Sequence, residues 1–198
     1  MRTLQLALLF VLVALVTVSR FWPPIERLEV LGHEHLSRAD VLRLANLAPG
    51  DPFLWVTRYR TRALIEDPWV LQARVTRHWP DTVAIAVWER TPVLFDGTVG
   101  YARDGTALPG VDPDVAAALP RLEGWGTPRL DEALALLGML GSREPRVITY
   151  GPEGFEVVLA DAVLFTPSVD ALRAQWSAFE SQRGSRVSVY PWGVSSAP

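Results

Sequence analysis

Three histidines, nineteen arginines, no lysine and no cysteine set the chemistry open to this 198-residue chain. His33-Glu34-His35 brings two imidazoles and a carboxylate together. A metal centre takes three or four ligands, and side chains two apart converge only on a strand or in a special loop. His78 is the only other histidine, so the triplet reads as a solvated turn. No Gly-x-Ser-x-Gly elbow is present for a serine hydrolase. Without lysine there is no Schiff base, P-loop lysine, Ser-x-x-Lys nucleophile or kinase lysine. Without cysteine there is no thiolate catalysis, disulfide, cysteine-zinc site or lipidated cysteine.

The remaining polar pairs have ordinary explanations. Asp112 and Asp114 read as a solvated loop, and Asp131 and Glu132 as the acidic first turn of a helix, where the helix dipole favours them. Arg58, Arg60 and Arg62 read as a solvated helix face, with a basic patch for anionic headgroups or an acidic partner as the alternative. Trp79 and Trp88 read as core or rim packing rather than ligand stacking.

Apolar types make up 49% of the chain and charged types 21%, which excludes a disordered tail or a polytopic membrane protein. A formal net charge of −3 argues against nucleic acid as the main partner. Residues 4 to 18 are almost wholly apolar, preceded by Arg2 and followed by Arg20-Phe21-Trp22-Pro23-Pro24. As a helix, Leu4 to Trp22 covers about 28 Å, close to the ~30 Å hydrocarbon core of a bilayer. Trp22 suits the interfacial belt, and the prolines end the helix. The stretch predicts a signal-anchor at 4–22 behind a cytoplasmic tail at 1–3. A cleaved signal is the alternative, disfavoured because no Ala-x-Ala site follows.

Ile25 to Leu31 reads as a strand closed by Gly32. Ser37 is a helix N-cap with Asp40 three residues on, and Val41, Leu44 and Ala45 follow at helical spacing. A second helix is expected from Thr57 to about Ile65, ended by Asp67-Pro68. Leu71, Ala73 and Val75 alternate with polar residues as in a half-buried strand. The turn Trp79-Pro80-Asp81-Thr82 then leads into Val83, Ile85 and Val87 on one face of an antiparallel neighbour. The order is β-α-α-β-β, with helices packed on one face of a small sheet.

The string Leu64-x-x-x-Pro68-Trp69-Val70-x-x-Ala73-x-Val75-x-Arg77-x-Trp79-Pro80-Asp81-Thr82, continuing Val83-x-Ile85-x-Val87-x-Glu89-Arg90-x-Pro92-Val93, resembles the POTRA domain of the FtsQ/DivIB cell-division proteins. Val30-x-Gly32 with Ser37 is similar to that domain's first strand and helix. The resemblance implies an α+β protein with an N-terminal transmembrane helix, a POTRA domain at 25–92, and a β-rich domain with flanking helices at 93–198. In the second domain, Val93 to Phe95, Tyr101-Ala102, Arg146 to Tyr150, Glu156 to Leu159, Val163-Leu164 and Arg186 to Tyr190 read as strands. One helix starts at Thr127-Pro128 and carries a stripe of Leu130, Ala133, Leu134 and Leu137 up to a stop at Gly141. A last helix opens at Thr166-Pro167 and aligns Val169, Leu172, Trp176 and Phe179.

The resemblance further implies a non-enzymatic, single-pass divisome scaffold without cofactor or metal. Its partners are the FtsB/FtsL and FtsW/FtsI types, and its place is the division septum, with the bulk of the chain extracytoplasmic. A POTRA-type transport or chaperone module and an exported cell-wall enzyme are the alternatives. An unpaired terminal strand can accept a partner strand. The expected partner-binding residues are therefore Arg186, Val187, Ser188, Val189 and Tyr190 of the last strand with Trp192 beside it, and the resemblance implies Trp176 and Phe179 of the preceding helix as well.

Overall fold

The computed structural model describes residues 2–20, 23–125, 127–182 and 184–197. The chain divides into two compact units, Met1–Arg90 and Thr91–Pro198.

The first unit opens with α1 (Arg2–Ser19), where the large apolar side chains from Leu6 to Val18 are exposed. Among the described residues, no helix is long and apolar enough to cross a membrane. Of the stretch 4–22 expected as one helix, the helix ends at Ser19, Arg20 is in a turn, and Phe21 and Trp22 lie outside the described residues.

Beyond Pro23 come β1 (Arg27–Leu31), α2 (Arg38–Leu44), a 3₁₀ turn at Phe53–Trp55, α3 (Arg62–Glu66), β2 (Val70–His78) and β3 (Thr82–Glu89). The sheet order is β1-β3-β2, with β1 parallel and β2 antiparallel to β3. Ser37 caps α2 as read, its hydroxyl accepting from the Asp40 amide. Val83, Ile85 and Val87 face inward and meet Val41, Leu47, Phe53 and Leu64 in one core.

Three expectations change here. The second helix is shorter and later, because residues 58–61 form a turn. The Arg60 guanidinium holds that turn by donating to Asn46 O and to the Asp51 carboxylate. Leu71 is 58% exposed rather than half-buried, because the ladder shifts register between Val70 and Gln72 and the extra residue turns outward. Trp79 and Trp88 are also exposed, whereas Trp69 is the buried indole among the described residues of this unit.

The second unit is one nine-stranded sheet in the order β12-β11-β10-β9-β8-β7-β4-β5-β6. Its strands are β4 (Pro92–Phe95), β5 (Gly100–Ala102), β6 (Ala107–Leu108), β7 (Arg121–Gly124), β8 (Val147–Gly151), β9 (Gly154–Val158), β10 (Val163–Thr166), β11 (Arg186–Tyr190) and β12 (Gly193–Ala197). The helices are α4 (Pro113–Ala118), α5 (Leu130–Leu140), α6 (Val169–Ala174) and α7 (Trp176–Glu180). Leu136, Leu140, Leu172 and Phe179 pack on inward residues of the strands, among them Ile148, Phe155, Val157, Leu164, Val187 and Val189. The chain is thus a mixed α+β protein with a small three-stranded unit and a β-rich one.

The helices differ from expectation in instructive ways. Asp112 and Asp114 do not lie in a plain loop: Asp112 caps α4 and accepts from the Asp114 amide. The buried stripe of α5 is Ala133, Leu136 and Leu140, with Leu130, Leu134 and Leu137 only partly covered. The last helix is two short ones broken at Gln175, and its cap is Ser168 rather than Thr166.

Candidate protein-binding interface

None of the polar clusters converges into a reactive centre. His33 Nδ1 lies 3.1 Å from Leu36 O, and the His35 ring stacks on Trp69 at 3.5 Å between centroids. No group of three or more metal-ligating side chains lies together among the described residues. The three arginines of residues 58–62 are divided: Arg58 lies over Tyr59, Arg60 binds Asp51, and Arg62 pairs with Glu66.

The sheet edge offers more. β11 alternates between exposed or half-buried Arg186, Ser188 and Tyr190 and buried Val187 and Val189. It is sealed on both sides, parallel to β10 through Val163↔Arg186 to Phe165↔Ser188 and antiparallel to β12 through Arg186↔Ala197 to Tyr190↔Gly193. The expected unpaired edge at Arg186–Tyr190 is therefore corrected, because its main-chain groups already serve two neighbours. Phe179 is also removed from any surface, being 1% exposed in the core, and Trp176 packs half-buried against it.

The outer strand among the described residues is β12, beyond β11. Val194 pairs with Val189 and turns its side chain toward the core, while Ser195, Ser196 and Ala197 are exposed. Two contacts tie this strand down: Ser196 Oγ donates to Gln182 Oε1 at 2.9 Å, and Gln175 Nε2 donates to Pro191 O at 3.1 Å. Gly184 admits its far end, since a Cβ there would sit 2.4 Å from Ala197 O. The edge Gly-Val-Ser-Ser-Ala carries neither the charges nor the prolines that usually discourage strand pairing.

An aromatic strip leads to this edge. Phe165 and Tyr190 lie 5.7 Å apart between ring centroids, and Tyr190 and Trp192 stack at 5.2 Å with an interplanar angle of 10°. Trp192 is 82% exposed, the most open indole among the described residues. Of the predicted residues, the structure therefore groups Tyr190 and Trp192 at one surface with Ser188 and Arg186, the last bound to Glu156 at 2.8 Å. It places Val187, Val189 and Phe179 inside. Sequence reading missed three strands of this sheet, β6, β7 and β12, and the one that decides this edge is β12. Its only signal was the turn-forming Pro191-Trp192-Gly193, since the serines that follow have no hydrophobic alternation.

A β-α-α-β-β unit whose first and last strands pair in parallel, followed along the chain by a β-rich unit, defines a POTRA-containing protein. Residues 23–90 match the family model described as POTRA domain, FtsQ-type. Over 110 residues the chain is 31% identical to a cell division protein FtsQ of Zymomonas mobilis, covering 52% of this chain and 34% of that protein. It is 33% identical over 128 residues to the FtsQ of Mycolicibacterium smegmatis, covering 54% and 38%. With that of Anaeromyxobacter sp. it shares 32% over 136 residues, covering 59% and 46%. The matched stretches span less than half the length of each of these relatives. The chain thus carries a POTRA domain of the FtsQ type and is similar over about half its length to cell division proteins FtsQ.

Proposed function

We propose that this chain is a non-enzymatic, membrane-held scaffold of the division septum that captures bitopic partners of the FtsB/FtsL type by strand addition at β12. The FtsW/FtsI type of septal synthase stands downstream of that capture. The observation that carries the reading is the free outer edge of β12, five residues long, neutral and flanked by the Tyr190–Trp192 stack. The opposite edge strand, β6, has only two residues and offers little ladder. Main-chain hydrogen bonds would supply affinity, and the aromatic strip would supply specificity. In the same reading α1 lies in the membrane, because its exposed Leu, Val and Phe side chains have no protein surface to cover them.

The test uses the alternation of an antiparallel ladder. Of Val194 and Ser195, one turns its N–H toward β11 and the other turns it outward. Proline has no N–H to donate. Val194→Pro and Ser195→Pro are each introduced into the full chain, and co-purification of FtsB/FtsL-type proteins from detergent-solubilised membranes is measured. Proline at the outward position abolishes capture and leaves the circular dichroism and melting temperature intact. Normal capture by both folded variants would place the partner elsewhere.

A further inference from the structure

One end of the first unit gathers features that strand addition does not use. The segment leaving α1 is stitched to two neighbours: Ile25 N donates to Asp51 O at 2.8 Å, Phe53 N to Pro23 O at 3.1 Å, and Glu26 N to Asp81 O at 2.9 Å. The 3₁₀ turn Phe53–Trp55 and the β2–β3 turn at 79–81 therefore lie at the end where α1 joins. Trp55 is linked to α1 itself, with its indole N–H 3.3 Å from Ser19 Oγ and the Arg20 guanidinium 5.3 Å from its ring centre. Phe53 and Trp79 meet edge to face at 6.0 Å, which fixes the second indole nearby.

This end is apolar, aromatic and cationic together. Leu54 is 46% exposed, Trp55 40%, Tyr59 75% and Trp79 66%. Arg58 and Arg77 line one cleft of about 270 Å³, floored by Val56, Leu64 and Val75. Arg77 reaches back to Leu54 O at 3.4 Å, and Arg58 lies over Tyr59. Of the nearby carboxylates, Asp51 is neutralised by Arg60, leaving Glu26 and Asp81 against Arg20, Arg27, Arg58 and Arg77. Exposed indoles and phenols interleaved with arginine match a bilayer interface, where rings sit among headgroups and guanidinium groups bind phosphates.

We propose that this end of the first unit docks on an anionic phospholipid surface. Arg58 and Arg77 take headgroup phosphates at the mouth of the cleft, and Trp55, Tyr59 and Trp79 lie at the interface. The inference rests on the membrane placement of α1 and adds to it: the unit lies down on the lipid rather than hanging from a loose tether. A lipid surface is favoured over an acidic peptide by continuity, because Trp55 is bonded to the helix proposed to lie in the bilayer.

The chain has no cysteine, so single-cysteine labels report one position at a time. Full-length Leu12→Cys, Tyr59→Cys and Glu34→Cys, each carrying an environment-sensitive fluorophore, are reconstituted into vesicles. The vesicles are phosphatidylcholine alone, or phosphatidylcholine with phosphatidylglycerol at about 3:1. Glu34 is the control, since it follows the far end of β1, which at five residues is roughly 17 Å long. The expected result is a blue shift and bromolipid quenching at positions 12 and 59, but not 34. At 59 the response is larger with phosphatidylglycerol, and Arg58→Ala or Arg77→Ala each weakens it roughly fivefold. A buried label at 12 with a water-exposed label at 59 overturns docking while leaving the membrane placement standing. A water-exposed label at 12 overturns both. A response at 59 that appears only when an acidic peptide is added, with or without lipid, also overturns the proposal.

Discussion

Trp192 lies flat against Tyr190, ring centroids 5.2 Å apart, at the turn between β11 and β12. An 82% exposed indole held in one orientation contributes little to the folded core and much to a surface ready for contact. Trp192→Ala is therefore expected to weaken partner capture by roughly 10- to 30-fold, as loss of an interface aromatic does. Stability changes by less than about 0.5 kcal/mol. Titration of the solubilised partner against both proteins, beside their thermal melts, checks both halves.

Substitution one strand inward has a different outcome. Ser188 sits in β11 between Phe165 of β10 and Ser195 of β12. Whichever way its N–H points, a proline there removes a hydrogen bond from one ladder and forces its ring against a neighbour. Ser188→Pro is expected to destabilise the second unit by about 3 kcal/mol or more. Urea titration followed by tryptophan fluorescence measures it. Tyr190→Asp removes both ring contacts but leaves Val187 and Val189 packed, so it lowers capture with a smaller stability loss.

The first hairpin of the second unit predicts a dependence on pH. The Asp96 carboxylate accepts from the amides of Thr98 at 2.9 Å and Val99 at 2.8 Å, and from the Tyr101 hydroxyl at 2.7 Å. Burial opposes the charge, but these donors together outweigh it and hold the carboxyl below the usual carboxylate range. Burial, aided by the Asp96 charge, pushes the Tyr101 phenol up to about 12. The neutral phenol is thus favoured in the folded state. Its contribution is whole below the ordinary phenol value near 10 and is lost as pH rises toward about 12. That of Asp96 is whole above the ordinary carboxylate value and is lost as pH falls through its lowered one. Tyr101→Phe is expected to cost about 1 kcal/mol at neutral pH and to flatten the alkaline limb. Asp96→Asn flattens the acid limb. Unfolding free energy measured across the pH range checks both.

What could be read from residue types alone follows physical lines. Val83, Ile85 and Val87 are large, β-branched and strictly alternating, so their strand and its inward face were legible. Leu71 follows the same alternation and still points outward, because a bulge depends on the partner strand and not on its own sequence. In α5, eight apolar residues in eleven leave several stripes of equal width, and only the sheet beneath selects Leu136 and Leu140. The candidate edge differs for a related reason: Ser195 and Ser196 carry no hydrophobic period, so the strand that covers β11 gives no signal of its own and β11 reads as the margin. Trp192 reads from the sequence as an aromatic beside a turn, and the structure leaves it exposed against half-buried Tyr190.

The Glu89–Arg90 pair, part of the string that resembled the family, does its work through the main chain. Glu89 Oε2 accepts the His35 amide at 2.6 Å and Oε1 accepts that of Leu36 at 3.0 Å, so one carboxylate closes the loop between β1 and α2. Arg90 Nη1 donates to Pro68 O at 3.0 Å and Val70 O at 2.6 Å, closing the segment that enters β2. Stacked His35 and Trp69 lie between the two clamps. Glu89→Gln keeps the size but presents one oxygen and one N–H₂, so one of the two amides faces a donor instead of an acceptor. The expected loss is about 1–3 kcal/mol for an amide left without its partner. Hydrogen exchange at His35 and Leu36 is expected to accelerate before that of β3. If exchange in the loop is unchanged in Glu89→Gln, water has replaced the carboxylate and the clamp is not what orders these residues.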